Sequence, residues 1–150
     1  MQIYDIGYKI VDDDAVKPYY DHVGDSGFPL ISVEDDFIIE PEDIALVDTG
    51  IQFDIPEGLE LCVRSRSGMT KKHGIVVAQG VGTVDQNYRG NVFVLLYNIS
   101  DLPMTINKGM KIAQGIWNEL PDVVFHEVDE LSETSRGSDA LNSTGYYKRE

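Results

Sequence analysis

The ten residues GTVDQNYRGN, at 82–91, place a carboxylate, two amides, a phenol and a guanidinium between two glycines. The stretch begins apolar and becomes polar at Asp85, which is typical of a strand end followed by a tight turn. A carboxylate at such a position can orient a water molecule and remove its proton. The alternative is that Asp85 only caps the turn and that Tyr88 only packs beside it.

Three other stretches carry groups suited to phosphate. RSRSGM, at 64–69, offers a guanidinium, hydroxyls and backbone amides within one turn, although a plain surface turn has the same composition. NKGMKIAQGIW, at 107–117, is a glycine turn that enters a strand, and Gln114 either faces a ligand or only pairs with backbone. SRGSDALNSTG, at 135–145, combines Arg136 with hydroxyls and glycines. Such a segment either wraps a polyphosphate or is a disordered tail.

The composition is that of an acidic chain of about one domain. Its 150 residues suffice to bury a sizeable core, and its single cysteine, Cys62, predicts a reducing compartment without disulfides or thiolate metal clusters. The formal net charge of -14 opposes binding to nucleic acid and to anionic membranes. We find no export signal and no apolar run of membrane-spanning length, and we expect a cytoplasmic protein without nucleic-acid or membrane partners.

Short segments rich in β-branched and aromatic residues, separated by turn residues, dominate the chain. The predicted strands lie within 1–11, 36–40, 43–55, 59–65, 74–81, 91–100, 104–117 and 122–128. No segment keeps a helical period over three turns, so the sequence predicts an all-β barrel or sandwich. The run NVFVLLYN at 91–98 hardly alternates, and we expect it to be buried on both faces. A domain is expected at 1–131 and a flexible arm at 132–150.

Five stretches resemble, in their order and spacing, the five motifs of the trimeric dUTPase family. They are GDSGFPL, RSRSGM, GTVDQNYRG, NKGMKIAQG and SRGSDALNSTG, and they span nearly the whole chain. The resemblance implies a single dUTPase-like β-barrel of jelly-roll type with a flexible C-terminal arm that closes an active site. It implies a dUTP diphosphatase, an enzyme that hydrolyses dUTP to dUMP and pyrophosphate, limits uracil incorporation into DNA and supplies dUMP for thymidylate synthesis. The implied cofactor is Mg²⁺, and the implied assembly is a homotrimer with sites shared between subunits.

The resemblance also assigns roles to individual residues. Asp85 becomes the general base that deprotonates the attacking water. The implied substrate-binding residues are Arg66, Ser67, Gly68, Gln79, Gly80, Val84, Tyr88, Gln114, Arg136, Leu141, Ser143 and Thr144. Tyr88 lies against the deoxyribose in this family and leaves no room for a 2′-hydroxyl, while 79–84 contact the base. No side chain is implied as a direct metal ligand, because the triphosphate and water hold the Mg²⁺. We interpret Arg89 as a support for the turn.

Several positions depart from the pattern of the family. Pro29 stands where the first motif has an aspartate, which in the family lies near the phosphates and the metal. Leu141 replaces the aromatic residue of the arm, so apolar cover over the base remains but stacking is lost. Asp139 and Asn142 replace glycines of the arm, and Ser65 replaces a proline.

These departures leave three functions open. An active dUTPase of a divergent branch, in the host cytoplasm if phage-encoded, is favoured because Asp85 and Tyr88 are retained together with the phosphate-binding residues. The alternatives are a pyrophosphatase for another or modified pyrimidine deoxynucleotide, and a weakly catalytic, nucleotide-sensing regulatory protein. We set aside dCTP deamination, because the related deaminases need a glutamate in the buried strand and 92–97 contains none. We also hypothesise that Asp25 supplies the acid that Pro29 removes.

Overall fold

A computed structural model of the protein describes residues 3–138 and 140. It contains eleven strands and a short helix. The strands are β1 (Gly7–Ile10), β2 (Phe28–Ile31), β3 (Phe37–Ile39), β4 (Ile44–Asp48), β5 (Ile51–Asp54), β6 (Leu59–Arg64), β7 (Ile75–Val77), β8 (Val81–Val84), β9 (Phe93–Asn98), β10 (Met104–Ile106) and β11 (Lys111–Glu119). The helix α1 (Ser67–His73) lies between β6 and β7. The predicted all-β fold is confirmed.

The strands form antiparallel sheets around one apolar core. The largest sheet has the order β2-β11-β6-β8, and the next has the order β4-β9-β7. The pairs β1-β5 and β3-β10 complete the fold. Alternate side chains of these strands point inward, and the most deeply buried include Leu30, Ile39, Leu59, Leu61, Ile75, Leu96, Ile106 and Ile112. Within the described residues, no helix has the length and apolar character needed to cross a membrane.

Two elements were not anticipated from the sequence. The strand β2 contains Pro29, which cannot donate a ladder hydrogen bond, but β2 is an edge strand that pairs with β11, where proline is tolerated. The helix α1 has seven residues, too few to display a helical period in the sequence. Gly74 ends it in the left-handed conformation at φ 65°, and its N–H donates to the Thr70 carbonyl.

Two strand predictions are wrong in the single chain. The run 91–98 is buried on one face only: Val94 and Leu96 are fully buried in β9, whereas Phe93 is 41% exposed. The reason is that β9 lies in an antiparallel sheet with one face on the core. The segment 122–128 forms no strand within the described residues, and Phe125 is 92% exposed. Its apolar residues therefore have little cover from their own chain.

Candidate active site

A cavity of about 440 Å³ lies where β6 ends and α1 begins, and we call it the cationic cavity. The predicted phosphate-binding residues that line it are Arg66, Ser67, Gly68 and Gln114. Lys72, His73 and Lys111 line the same cavity. In a chain with a net charge of -14, the concentration of Arg66, Lys72 and Lys111 in one cavity favours an anionic ligand. The fold thus brings the second and fourth polar stretches of the sequence together.

Gln114 is held by a backbone carbonyl at the wall of the cationic cavity. Its Nε2 donates to the Ser65 carbonyl at 3.0 Å, because β11 pairs with β6 in a register that sets Gln114 opposite Arg64. A Cβ on Gly27 would come within 2.8 Å of its Oε1, so the glycine leaves room for the amide. Ser65 has a further role, since its Oγ accepts from the Val77 N–H at 2.8 Å. Gln114 therefore both pairs with backbone and lines the cavity.

Two carboxylates also line the cationic cavity, and their surroundings differ. The Lys111 ammonium donates to Asp21 at 2.8 Å and lowers the pKa of that carboxyl, and the charge of Arg66 acts in the same direction. Both cations therefore favour the ionised form of Asp21. The Asp25 carboxylate instead accepts from the His22 backbone N–H at 2.9 Å.

A smaller cavity of about 180 Å³ lies beside the stretch with which the sequence analysis began, and we call it the turn cavity. Asp85 follows directly after β8, and the Tyr88 N–H donates to the Asp85 carbonyl at 3.0 Å, which closes the turn. The Tyr88 hydroxyl donates to the Asn91 carbonyl at 3.0 Å. Val84, Asp85 and Tyr88 line this cavity together. The Asp85 carboxylate is exposed and open to water.

Arg89 holds the turn by several bonds. One guanidinium nitrogen donates to the carbonyls of Gln86 at 2.7 Å and Tyr88 at 2.9 Å. Another nitrogen lies 2.7 Å from the Asp54 carboxylate on β5. This geometry matches the role of turn support that the sequence suggested for Arg89.

The two cavities lie at opposite ends of one pair of strands. In the β6–β8 ladder, Arg64 pairs with Val81 and Leu61 pairs with Val84. Arg66 therefore follows one end of the ladder, and Asp85 follows the other. Three residues of strand separate these ends by about 10 Å, and the two cavities have no lining residue in common. A single chain does not bring Asp85 and Arg66 together.

The remaining predicted residues lie outside both cavities. Gln79 and Gly80 form an exposed turn before β8, in which Gly80 has a φ of 78° and donates its N–H to the Val77 carbonyl. Arg136 is exposed and donates to the Ala140 carbonyl at 3.1 Å. Some predicted site residues, and some positions that depart from the family pattern, lie outside the described residues. They are Asp139, Leu141, Asn142, Ser143 and Thr144.

Sequence reasoning missed Lys111, Lys72 and Asp21 as cavity residues. Lys111 is visible in the fourth stretch, three positions before Gln114, and Lys72 follows the second stretch. Asp21 belongs to the acidic N-terminal loop and carries no local signal. Only the pairing of distant strands brings the loop to the cavity wall.

The family model described as dUTPase matches residues 13–145 of the chain. The chain is similar to the deoxyuridine 5'-triphosphate nucleotidohydrolase of Clostridium kluyveri, with 41% identity over 137 residues that cover 91% of this chain and 95% of the relative. It is also similar to the enzyme of the same name from Helicobacter pylori, with 42% identity over 134 residues, 89% of this chain and 92% of the relative.

Solved structures share the fold. A Staphylococcus bacteriophage 80alpha dUTPase with dUpNHpp superimposes with a TM-score of 0.88 and 24% identity over 96% of this chain and 100% of that chain. A dUTPase from phage phi11 of S. aureus, described with a structural Mg(II) ion, gives a TM-score of 0.77 and 24% identity over 85% of this chain and 98% of that chain.

Proposed function

The chain belongs to the dUTPase family, and on that premise we infer that it is a dUTP diphosphatase that hydrolyses dUTP to dUMP and pyrophosphate. The observation that carries this function is the match of the family model to 13–145, which includes all five polar stretches. The two cavities supply its chemistry: one is cationic, and the other holds an exposed carboxylate.

We propose Asp85 as the general base. A water oxygen forms a bond to the α-phosphorus, the bond from that phosphorus to the bridging oxygen breaks, and pyrophosphate leaves. The proton of the water passes to the Asp85 carboxylate. The position of Asp85 at the end of β8 supports this role, because the turn closed by Tyr88 fixes the backbone of the carboxylate while leaving it open to water. A base held in this way needs little reorganisation when the water attacks.

The phosphates would bind in the cationic cavity. Arg66 offers a guanidinium fork and Ser67 a hydroxyl. Gly68 has no side chain that would block the approach of a phosphate to its backbone. Gln114 is held in place by the Ser65 carbonyl and completes the wall. When bound, Mg²⁺ neutralises triphosphate charge. The cationic lining of the cavity would suit an ion that arrives with the triphosphate, with triphosphate oxygens and water as its ligands.

We propose a homotrimer whose sites are shared between subunits. The distance between the two cavities supports sharing, because the cationic cavity of one chain has to meet Asp85 of another. Apolar side chains left exposed in the single chain support assembly as well. Ile44 and Leu46 on β4 are 60% and 59% exposed, beside Phe93 on β9, and Phe125 protrudes from 122–128. A second copy would bury these residues.

Selectivity and closure complete the proposal. The Tyr88 ring would lie against the deoxyribose and exclude a 2′-hydroxyl. Gln79, Gly80 and Val84 would contact the base from the turn before β8 and from β8 itself, which is the edge strand of its sheet. We assign 132–150 as an arm that closes over the substrate. Its substrate-binding residues would be Arg136, Leu141, Ser143 and Thr144. The reaction would take place in the cytoplasm.

Pyrophosphate release by the purified chain with Mg²⁺ tests the function. The substrates are dUTP, dCTP, dTTP and UTP, and the variant is Asp85→Asn. We expect release from dUTP alone and a loss of roughly 10²–10⁴-fold in the variant, the usual effect of removing a general base. The matched control is Asp101→Asn, an exposed turn carboxylate that lines neither cavity, and it should keep full activity.

Other outcomes of this assay separate the alternatives. Release from another nucleotide in place of dUTP would indicate a pyrophosphatase of different specificity. If the chain releases no pyrophosphate from any of the four nucleotides, the nucleotide-sensing regulator is favoured. Full activity of Asp85→Asn would refute the assigned base while leaving the hydrolysis itself intact.

A further inference from the structure

A bulge in β11 directs Lys111 into the cationic cavity. Residues three apart on a regular strand point to opposite faces of a sheet. In the pairing of β11 with β2, however, Lys111 lies opposite Ile31 and Ala113 lies opposite Leu30, so β11 has one extra residue. The extra residue brings Lys111 to the side of Gln114, and both line the cavity. Bulges of this kind commonly redirect side chains beside active sites.

The Lys111 ammonium is held in position from two directions. It donates to both oxygens of Asp21, at 2.8 and 2.9 Å. It also lies 5.3 Å from the centroid of the Tyr19 ring, within the range of a cation–π interaction. The Lys111 and Asp21 side chains are 35% and 39% exposed, so the pair is partly shielded from water. A flexible lysine stem is thereby fixed at the cavity wall.

Asp21 interacts with two of the cations that line the cavity. The hydrogen bond from Lys111 and the positive charge of Arg66 both lower the pKa of the Asp21 carboxyl. Asp25, by contrast, forms a local turn, because its carboxylate accepts from the His22 N–H and its own N–H donates to the His22 carbonyl. Asp21, and not Asp25, is therefore the loop acid that engages the cations.

We propose that Lys111 binds the triphosphate of the substrate beside Arg66, and that Asp21 is the positioning residue that keeps Lys111 at the cavity wall. The proposal rests on the proposed function for the identity of the ligand. Its physical basis is that a chain of net charge -14 repels a triphosphate unless cations are concentrated where the ligand enters. A lysine with three N–H donors can bond a carboxylate and a phosphate at the same time.

Lys108 provides the matched control. Its ammonium lies 2.8 Å from Asp14, in the same N-terminal loop as Asp21, and 2.8 Å from Asp35, in the loop after β2, so its ion pairs are equally short. It does not line the cationic cavity. If Lys111 only anchors the loop, Lys111→Met and Lys108→Met will have similar effects. If Lys111 binds phosphate, only the first variant will weaken substrate binding.

The experiment compares KM and kcat for dUTP, the thermal midpoint, and the calorimetric affinity for inorganic tripolyphosphate. For Lys111→Met we expect KM to rise and tripolyphosphate affinity to fall by roughly 10- to 100-fold, the range for losing a charged hydrogen bond. The kcat should change by less than about threefold, since the lost contact is present before the transition state as well as in it. Lys111→Arg should recover most of the affinity, and Lys108→Met should match the parent protein in KM and in tripolyphosphate affinity.

The positioning role of Asp21 has its own readout. Asp21→Asn should raise KM by about threefold to tenfold at unchanged kcat, because the lysine keeps its charge but loses its fixed place. Asp21→Glu should restore part of the affinity. A thermal loss in Asp21→Asn without any change in KM would leave only a structural role for Asp21 and overturn its assignment.

The two proposals fail separately. Parent protein that releases pyrophosphate from dUTP, with Lys111→Met unchanged in KM and in tripolyphosphate affinity, would overturn the role of Lys111 alone. If the parent protein releases no pyrophosphate from dUTP, the proposed function is overturned. The tripolyphosphate measurement then still decides whether Lys111 binds phosphate.

Discussion

Gly90 and Tyr88 provide a direct test of how the turn positions a side chain for chemistry. The Tyr88 ring folds back over Gly90, and its hydroxyl donates to the Asn91 carbonyl at 3.0 Å. A Cβ added at Gly90 would lie 2.6 Å from Cζ of that ring. Gly90→Ala therefore has to move the ring.

The size of the effect follows from these distances. Ordinary van der Waals contact begins at 3.4 Å, so the ring has to withdraw by roughly 1 Å and lose its hydroxyl bond. Tyr88 is 42% exposed and free to move outward, so stability should fall by only about 1 kcal/mol, the value of a typical hydrogen bond. A displacement of about 1 Å at a reacting centre can cost about 100-fold in rate. We therefore expect a large loss of activity with a small loss of stability.

The assay measures kcat/KM for dUTP and for UTP, together with the thermal midpoint. Gly90→Ala should lower kcat/KM for dUTP by about 100-fold, and it should lower the ratio of kcat/KM for dUTP to kcat/KM for UTP. The thermal midpoint should fall by roughly 2–4 °C. Tyr88→Phe is the control, because it loses the same hydroxyl bond but keeps the ring in place. It should keep the dUTP-to-UTP ratio, with a loss in rate of less than about tenfold.

One result would refute the reasoning. If Gly90→Ala keeps the parent activity and the parent dUTP-to-UTP ratio, the position of the Tyr88 ring has no bearing on the sugar. Unfolded or aggregated Gly90→Ala protein would contradict the structural premise instead, since the ring would not be free to move outward.

Two further predictions concern assembly and pH. Co-expression of Arg66→Ala and Asp85→Asn chains should yield hybrid oligomers with activity that neither variant has alone. The reason is that an intact cationic cavity of one chain then meets an intact turn cavity of another at some interfaces. If the hybrids stay inactive, Arg66 and Asp85 of one site belong to the same chain. The Lys108 backbone N–H and the Asn107 side chain lower the pKa of Asp36, so this carboxylate contributes stability that is fully present above about pH 4 and is lost as pH falls through the lowered pKa. Thermal midpoints should show Asp36→Asn less stable than the parent at neutral pH, with the difference shrinking as the pH falls below about 4. A difference that stays constant from neutral to acid pH would contradict the assignment.

Local chemistry determined the parts of the site that lie within single turns. The sequence placed Asp85 at a strand end followed by a tight turn, and the structure has β8 ending at Val84 with the turn closed by Tyr88. The turn that enters β11 was also predicted, with Gly109 at a φ of 79°. The five polar stretches and their order sufficed to identify the family. These features depend on neighbouring residues, so they can be read along the chain.

Tertiary structure decided which of these groups meet. Pro29 could enter a strand only because β2 is an edge that pairs with β11, and Lys111 could face the cationic cavity only because that pairing contains a bulge. The ladder between β6 and β8 sets Arg66 and Asp85 at opposite ends. Strand register depends on contacts between residues far apart in the chain, and a shift of one residue reverses the direction of every side chain. The sequence therefore determined which chemical groups are present, and the pairing of distant strands determined which of them share a cavity.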